Sequence, residues 1–204
     1  AQLSPRALAL ARVASIAGAD FSIGMAEQVL QASAMQFADA LNELEAAQVM
    51  RGNTFAHDLV HDAVRASVPA TIAAHTHARV AEWLEQRRGE PARIAGHWIA
   101  AEQGVRALPW LQQAADAARR ALRAKEYVAF LERKSAIEAA AGQTGAAFAS
   151  LILAADEFVN VDLDSIAAFA HCDRLDRLAG TPQQHLEARL HRAHLHQQRG
   201  EPHL

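Results

Sequence analysis

Apolar residues recur at helical spacing along most of the chain, and capping residues mark where helices begin and end. Ser4 precedes Pro5, a pair that opens many helices, and Gly18 follows where such a helix would end. Ser22 is placed to cap a second, short helix, and Ser33 is placed to cap a third. The amino-terminal part of the chain is therefore predicted to form three consecutive helices.

The pattern changes after the third helix. Residues 49–51, a Gly-Asn turn pair at 52–53 and residues 54–56 predict a small β-hairpin, because Gly and Asn accept the left-handed backbone of a tight turn. Three helices followed by a hairpin have the element order of a winged-helix domain. Two more helices are predicted after the hairpin, over residues 57–68 and 69–88.

A break at residues 89–91, Gly-Glu-Pro, ends this region, and we expect a domain boundary there. The first module, residues 1–89, is predicted to be winged-helix-like and to include the long helix that follows the hairpin. The expected buried side chains of that long helix are Ile72, Val80, Trp83 and Leu84. The second module, residues 90–204, is predicted to consist of helices at 92–103, 105–122, 125–141, 145–159, 163–179 and 182–198.

The second module repeats itself at an offset of about 40 residues. The offset aligns Ala107 with Ala147 and Leu111 with Leu151, and it also aligns two Ala-Ala-Asp triplets. Small alanines let paired helices approach closely, while larger side chains fill the gaps between layers. The predicted fold is all-α with a small β-hairpin wing, a winged-helix module followed by a tetratricopeptide-like helical-hairpin superhelix. Chance self-similarity in an alanine-rich chain is the alternative explanation of the repeat.

Composition agrees with a helical protein and argues against several functional classes. Of the 204 residues, 51% are apolar and only 5% are aromatic. A formal net charge of −3 argues against a dedicated nucleic-acid binder, which would normally be basic. The single cysteine, Cys172, excludes an internal disulfide and suggests a reducing compartment. With no membrane-length apolar run and no signal pattern, we expect a soluble, cytoplasmic segment cut from a longer protein.

Titratable groups are most concentrated in residues 54–65, where the predicted hairpin joins a helix. Two His-Asp pairs stand four residues apart there, so His57 and His61 are expected on one helical face, with Asp58 and Asp62 beside them. Three interpretations are open: a metal site, a phosphate sensor, or an ordinary helix start.

The metal site is the weakest of the three interpretations. Two imidazoles one turn apart occur on metalloprotease helices, but Asp58 stands where the general-base glutamate would be, and no third ligand is specified. Further histidine groups occur at His75 with His77, and at His191 with His194 and His196. A metal-dependent hydrolase built on His57, His61 and the two aspartates is kept as a third hypothesis.

The helix in the DNA-recognition position of the winged helix is acidic. It spans about residues 36–48, and no Lys or Arg occurs from Val13 to Met50. Its acidic residues are Asp39, Glu43 and Glu45. Because an acidic helix repels phosphates, this module is predicted not to bind nucleic acid directly.

No catalytic nucleophile or nucleotide-binding loop is recognisable in the sequence. Cys172 and His171 are neighbours on a predicted helix, so they point about 100° apart and cannot form a direct dyad. No Walker A sequence and no other Gly-rich phosphate loop occurs, so this segment is not expected to be an enzyme. A basic cluster, expected to be a solvated helix end, comprises Arg119, Arg120, Arg123 and Lys125.

Residues 55–64, Phe-Ala-His-Asp-Leu-Val-His-Asp-Ala-Val, closely resemble the Met-His-Asp motif that ends the winged-helix region of STAND-class signal-transduction NTPases. Two further stretches are similar to bacterial members of that class, which include large LuxR-type activators and multidomain ATPase regulators. One is residues 78–85, and the other is His97-Trp98 followed by residues 107–111. The resemblance covers roughly residues 3–120 in order.

The resemblance implies a role for one residue, His57. In plant resistance proteins and animal apoptosis adaptors of the class, the histidine of the motif contacts the β-phosphate of bound ADP and locks the closed state. His57 is therefore predicted to be an ADP phosphate sensor in a full-length protein whose upstream domain binds ATP or ADP. Ala56 departs from the Met of some relatives, and His61 stands where bacterial relatives often have Arg.

The first hypothesis is a regulatory or sensor segment of a STAND-type ATPase, a transcriptional or signalling regulator. Its expected partners are the upstream nucleotide-binding domain and a protein or small-molecule effector bound by the helical repeats, with no membrane contact. The second hypothesis is a stand-alone helical-repeat scaffold for protein–protein interaction. A GxxxxGK[ST] sequence upstream in the full-length gene would support the first hypothesis, and its absence would remove it.

Overall fold

A computed structural model describes residues 3–160 and 165–198 of the chain. These residues are mostly helical, with eleven α-helices, one 3-10 turn and one two-stranded antiparallel sheet. The predicted all-α fold with a small β-hairpin is confirmed at this level of description. No helix within the described ranges is both long and apolar enough to span a membrane.

The chain folds as two compact units, Ala1–Gln103 and Gly104–Leu204, called unit 1 and unit 2 below. The elements of unit 1 are α1 (Pro5–Ala17), a 3-10 turn (Gly18–Asp20), α2 (Ile23–Leu30), α3 (Ala34–Ala46), β1 (Met50–Arg51), β2 (Thr54–Phe55), α4 (Asp58–Ala66), α5 (Ala70–Gln86) and α6 (Pro91–Ala100). Those of unit 2 are α7 (Gly104–Arg120), α8 (Ala124–Ala140), α9 (Thr144–Asn160), α10 (Ser165–Leu178) and α11 (Pro182–Gln198). The predicted start of α10 at residues 163–164 lies outside the described residues, and the module boundary after residue 89 stays a prediction.

Side-chain hydrogen bonds explain where the first three helices begin. The hydroxyls of Ser4 and Ser22 each accept a hydrogen bond at 3.2 Å from the backbone amide three residues later. At the third helix, the side-chain carbonyl of Gln36 accepts from the Ser33 N–H at 2.8 Å. Each bond satisfies an amide group that has no partner within the helix. Because donor and acceptor are only three residues apart, the capping serines predict these helix starts from the sequence alone.

The hairpin is held by a carboxylate of α3. Its strands pair Met50 with Phe55 and Arg51 with Thr54. Gly52 takes a left-handed backbone, φ +59°, and its N–H donates to the Glu45 carboxylate at 3.1 Å. Glu43, two residues earlier, accepts from the N–H and hydroxyl of Ser4 at 2.6 and 2.5 Å, and these bonds lower the pKa of Glu43. Two acidic residues of α3 therefore connect elements of unit 1.

Large apolar side chains fill the core of unit 1, and the largest of them is Trp98 on α6. Its ring is fully buried, and its indole N–H donates to the Glu85 carboxylate of α5 at 2.6 Å. The other large, fully buried side chains of this unit are Leu10, Met25, Phe37, Leu44, Met50 and Ile94. Trp98 therefore joins α5 and α6 by both apolar packing and a hydrogen bond.

The burial predicted for α5 is only partly observed. Val80 and Leu84 are buried, but Trp83 is half-buried and Ile72 is 54% exposed. Ile72 lies one turn before Thr76, the first buried residue of α5. Helical periodicity assigns Ile72 to the buried face, yet Ile72 lies only two residues after the start of α5 and more than half of it is exposed.

Two consecutive helices of unit 2, α7 and α8, end in the same way. α7, α8 and α9 have 17 residues each. After α7, the Arg123 N–H bonds the carbonyl of Ala118 at 2.9 Å, and after α8 the Gln143 N–H bonds that of Glu138 at 2.8 Å. The residue before each donor is left-handed, Leu122 at φ +55° and Gly142 at φ +77°. These are the hydrogen bonds and backbone of a Schellman-type helix end.

The two glycines that flank the start of α9 provide a matched test of this helix end. Gly142 is left-handed, whereas Gly145 lies within α9, and a Cβ at either position would meet no atom within 4 Å. We expect Gly142→Ala to lower the free energy of unfolding by about 1 kcal/mol, because an L-residue is strained there. We expect Gly145→Ala to raise it by about 0.5–1 kcal/mol. Urea unfolding measures both, and equal effects of the two substitutions would contradict the assigned backbone.

Residues aligned by the sequence offset occupy similar surroundings in unit 2. Ala107 and Ala147 are both fully buried, and Leu111 and Leu151 are 1% and 2% exposed. One core cluster of this unit includes Tyr127, Leu131 and Cys172, and a second includes Leu151 itself with Phe148, Leu175 and Ala188. Small buried alanines between larger side chains allow the close helix packing seen in this unit.

Candidate functional site

His57 lies at the junction between β2 and α4. Its backbone is extended, φ −148° and ψ 142°, so it is the N-cap residue and the helix begins one residue later, at Asp58. The His57 side chain is exposed, and it forms no capping hydrogen bond with the helix. A ring in this position is accessible from solvent and lies beside the amide groups of the first helical turn.

His61 has different surroundings from His57, although the sequence predicts that they share a face. Its Nε2 is 3.1 Å from the Ser15 carbonyl of α1, and its Nδ1 is 3.1 Å from the Asp62 carboxylate. The edge of the ring packs on Phe55, with the ring centroids 5.1 Å apart. His61 therefore holds α4 against α1 and the hairpin, with both of its ring nitrogens in contact with other groups of the protein.

The start of α4 forms an exposed surface, which we call the α4 surface: His57, Asp58 and Leu59. No side chain of α4 is fully buried, and Leu59 is 83% exposed. An exposed leucine beside an exposed histidine gives this surface both an apolar contact and a polar group. The first-turn amides add partial positive charge, which favours an anion.

The remaining histidine groups named from the sequence have structural contacts. His77 Nδ1 lies 2.8 Å from His97 Nδ1, and the His196 ring packs on Phe169 with centroids 4.8 Å apart. Across residues 3–160 and 165–198, no group of three or more His, Cys, Asp or Glu side chains is placed to hold a metal ion.

The His77 contact belongs to a buried polar chain in unit 1. His97 Nε2 lies 3.1 Å from the Asp20 carboxylate, and Arg93 forms an ion pair with the same carboxylate. Burial, which is the largest cause, and the positive charges of His97 and Arg65 together lower the pKa of His77 to about 4. His97 Nε2–H donates to the Asp20 carboxylate, and the two rings share one Nδ1–Nδ1 hydrogen bond, in which one nitrogen donates and the other accepts.

Cys172 and His171 are both buried in unit 2. Burial raises the pKa of the Cys172 thiol, which disfavours the reactive thiolate. His171 is fully buried and bonds the Leu151 carbonyl at 2.8 Å and the Glu132 carboxylate at 2.9 Å. Arg174 also pairs with Glu132, and the bond to His171 is the main cause of the lowered pKa of Glu132. The His171 ring thus connects three helices, α8, α9 and α10.

A cleft in unit 2 is a candidate site that the sequence did not indicate. It encloses about 560 Å³ between α7, α8, α9 and α11. Its lining residues are Arg119, Tyr127, Leu153, Asp156, Glu157, Glu187, Leu190, His191 and His194. Arg119, predicted to be part of a solvated cluster, is exposed but lines this cleft. These residues come from four helices, so sequence spacing alone cannot bring them together.

A histidine–aspartate contact orders one wall of the cleft. His191 Nε2 lies 3.3 Å from the Asp156 carboxylate. Burial lowers the pKa of His191, an effect that the Asp156 charge opposes and the His194 charge increases. The neutral imidazole therefore acts as a donor to Asp156 and leaves the carboxylate negative.

Comparison with known proteins gives no relative from which a function could be transferred. No family model, no curated protein and no solved structure matches this chain.

Proposed function

We propose that the chain is a regulatory segment of a STAND-type ATPase, a signalling or transcriptional regulator. In this proposal, residues 1–89 are a winged-helix module that senses nucleotide state, and residues 90–204 are tetratricopeptide-like repeats that bind an effector. The observation that carries the proposal is the exposed His57 ring at the start of α4, free of any capping hydrogen bond.

The first turn of α4 offers hydrogen-bond donors to a phosphate, whereas the exposed Asp58 carboxylate of the same surface repels one. Amide groups in the first turn of a helix have no intrahelical partners, and the helix dipole adds positive potential at the same place. An imidazole N–H beside them adds a directed donor, and the donor becomes charge-assisted when the partner is a phosphate oxygen. His57 can thus contact the β-phosphate of an ADP molecule that an upstream domain holds.

The exposed Leu59 supports docking of that upstream domain on the α4 surface. A side chain that is 83% exposed and lies two residues from His57 would lose water on docking, which favours the closed arrangement. Docking and phosphate contact would then involve the same surface. ADP would therefore stabilise the closed state through His57.

The acidic residues of α3 support a role other than DNA binding. Glu43 accepts a hydrogen bond from Ser4, and Glu45 accepts one from Gly52 in the hairpin turn, so both carboxylates stabilise contacts within unit 1. They also give α3 negative charge. A DNA phosphate would meet these carboxylates without a compensating cation on the same helix.

Coupling between the two modules would be a shift of population. An effector that binds the open arrangement more tightly draws the equilibrium away from the ADP-bound, closed one. Effector binding is assigned to the repeats, and phosphate contact is assigned to His57. Effector binding and nucleotide release can therefore be tested in separate experiments.

The test is His57→Ala in the full-length protein. We expect ADP to dissociate about 10–100 times faster, because one hydrogen bond to a charged group contributes about 1.5–3 kcal/mol. Basal output should rise because the population of the closed state falls. Stopped-flow release of a fluorescent ADP analogue measures the rate, and a reporter of the output measures activity.

The matched control is His75→Ala, since His75 is also exposed and lies on α5 of the same unit. This variant should keep the wild-type ADP release rate and basal output. An unchanged release rate and output in His57→Ala would refute the sensor role.

A stand-alone helical-repeat scaffold is the second candidate function. The internal offset of about 40 residues favours it, because the aligned pairs Ala107 with Ala147 and Leu111 with Leu151 are buried to the same extent, and regular repeats are common in proteins that bind other proteins. Absence of a GxxxxGK[ST] sequence upstream in the full-length gene would leave this candidate in place of the first.

A further inference from the structure

The cleft of unit 2 has the dimensions of a small-molecule site. Its volume of about 560 Å³ lies within the range of about 300–1,000 Å³ that is typical of ligand pockets. Four helices contribute to its walls, among them α9 with Asp156 and α11 with His191. A ligand of this size would contact side chains that are far apart in the sequence.

Negative charge predominates in the cleft. Its carboxylates are Asp156, Glu157 and Glu187, and its only permanently charged cation among the lining residues is Arg119. The Nδ1 atom of His191 is buried and has no hydrogen-bond partner among the described residues. A proton on that nitrogen would be a donor without an acceptor, so the imidazole does not offset the negative charge at neutral pH.

The cleft also offers apolar surface. Leu153 and Leu190 line the cleft and are 42% and 52% exposed. Tyr127 also lines the cleft. Exposed leucines in a concave, negatively charged site can be covered by the aliphatic part of a ligand. The lining therefore favours a molecule that has both positive groups and a hydrocarbon chain.

We propose that this cleft binds a small organic cation that carries primary amine or guanidinium groups on an aliphatic chain. The carboxylates of Glu157 and Glu187 accept hydrogen bonds from the cationic groups, and the leucines cover the methylene groups between them. Asp156 is held in place by His191 and adds to the negative potential. The ligand class deepens the proposed effector-binding role of residues 90–204 and rests on that proposal.

The test is isothermal titration calorimetry of the whole 204-residue chain with spermidine and with agmatine. We expect saturable binding of at least one of them, and no binding of the neutral 1,6-hexanediol or of the dianion glutarate. Raising the NaCl concentration should weaken binding of the cation, because the attraction is screened. Absence of binding by both cations, or binding that is unchanged by salt, would overturn the proposal.

The variant for this test is the double substitution Glu157→Gln with Glu187→Gln, which keeps side-chain shape and removes two charges. Affinity should fall at least about tenfold, as is usual when charge-assisted hydrogen bonds are lost. The control, Asp39→Asn, removes an exposed carboxylate in unit 1 and should bind as the wild type does. Equal affinities of the double variant and the wild type would also overturn the proposal.

The titration contains no nucleotide and does not involve His57. Failure of cation binding therefore rejects the ligand class, whereas failure of the ADP-release experiment rejects the STAND-type proposal. The two results can be told apart in any combination.

Discussion

Trp98→Ala should lower the free energy of unfolding of unit 1 by about 3–5 kcal/mol, the usual cost of truncating a buried tryptophan. The ring is fully buried, so alanine leaves a cavity between α5 and α6 that rigid helices cannot close. The substitution also removes the indole donor from the Glu85 carboxylate. Urea unfolding followed by far-ultraviolet circular dichroism measures the loss.

Trp98→Phe separates the two causes. Phenylalanine retains most of the apolar ring but has no N–H, so we expect a loss of about 1–3 kcal/mol from the hydrogen bond to Glu85. A loss below about 1 kcal/mol in the alanine variant would show that Trp98 is not the central packing residue that its burial indicates.

Acid should destabilise the protein through His77 before its carboxylates titrate. Burial lowers the pKa of His77 from the ordinary value of 6.5 to about 4. The unfolded chain therefore binds a proton at pH values where the folded chain does not, and stability falls as the pH drops from about 6.5 to about 4. A difference of this size corresponds to about 3 kcal/mol at the acid end of that window.

His77→Gln should remove this dependence, since glutamine does not titrate in that range. Free energies of unfolding at several pH values between 7 and 4 give the slope, and the difference between wild type and variant excludes the carboxylates common to both. His75→Gln is the matched control, because His75 is exposed on the same helix, two residues away. If His77→Gln kept the wild-type slope, the buried pair of His77 and His97 would not be the acid-sensitive element.

Local signals in the sequence predicted much of the secondary structure. The capping serines Ser4 and Ser22 and the turn at Gly52 act through bonds within a few residues, so their effect can be read without knowledge of the fold. The all-α class followed from the same local patterns. Ile72 shows where they fail, because periodicity gives the face of a helix and not the extent of its neighbours.

Contacts between distant parts of the chain were not predictable in this way. Asp20 and His97 are 77 residues apart, and nothing in their flanking residues indicates that they meet. The unit 2 cleft likewise depends on how four helices pack. Tyr127 and His191 could be recognised as polar or aromatic residues, but not as members of one site.

The candidate site at His57 lies between these two cases. The sequence of residues 54–65 predicted that His57 lies where a hairpin joins a helix, and in the structure His57 lies between β2 and α4. The contacts that distinguish His61 from His57 could not be predicted from the sequence, because one of them is to the Ser15 carbonyl of α1, 46 residues away. The phosphate-sensing role of His57 stays a proposal that the ADP-release experiment decides.

The shared ending of α7 and α8 has a consequence for how this chain can change over evolutionary time. Leu122 and Gly142 adopt the same backbone handedness, followed by the same hydrogen bond to a carbonyl of the preceding helix. The internal offset of about 40 residues carries α7 onto α9, so the segment that repeats consists of two helices with their connectors. Duplication or deletion of such a two-helix segment in the gene would leave the geometry of each helix end unchanged, because that geometry depends only on residues close in the sequence.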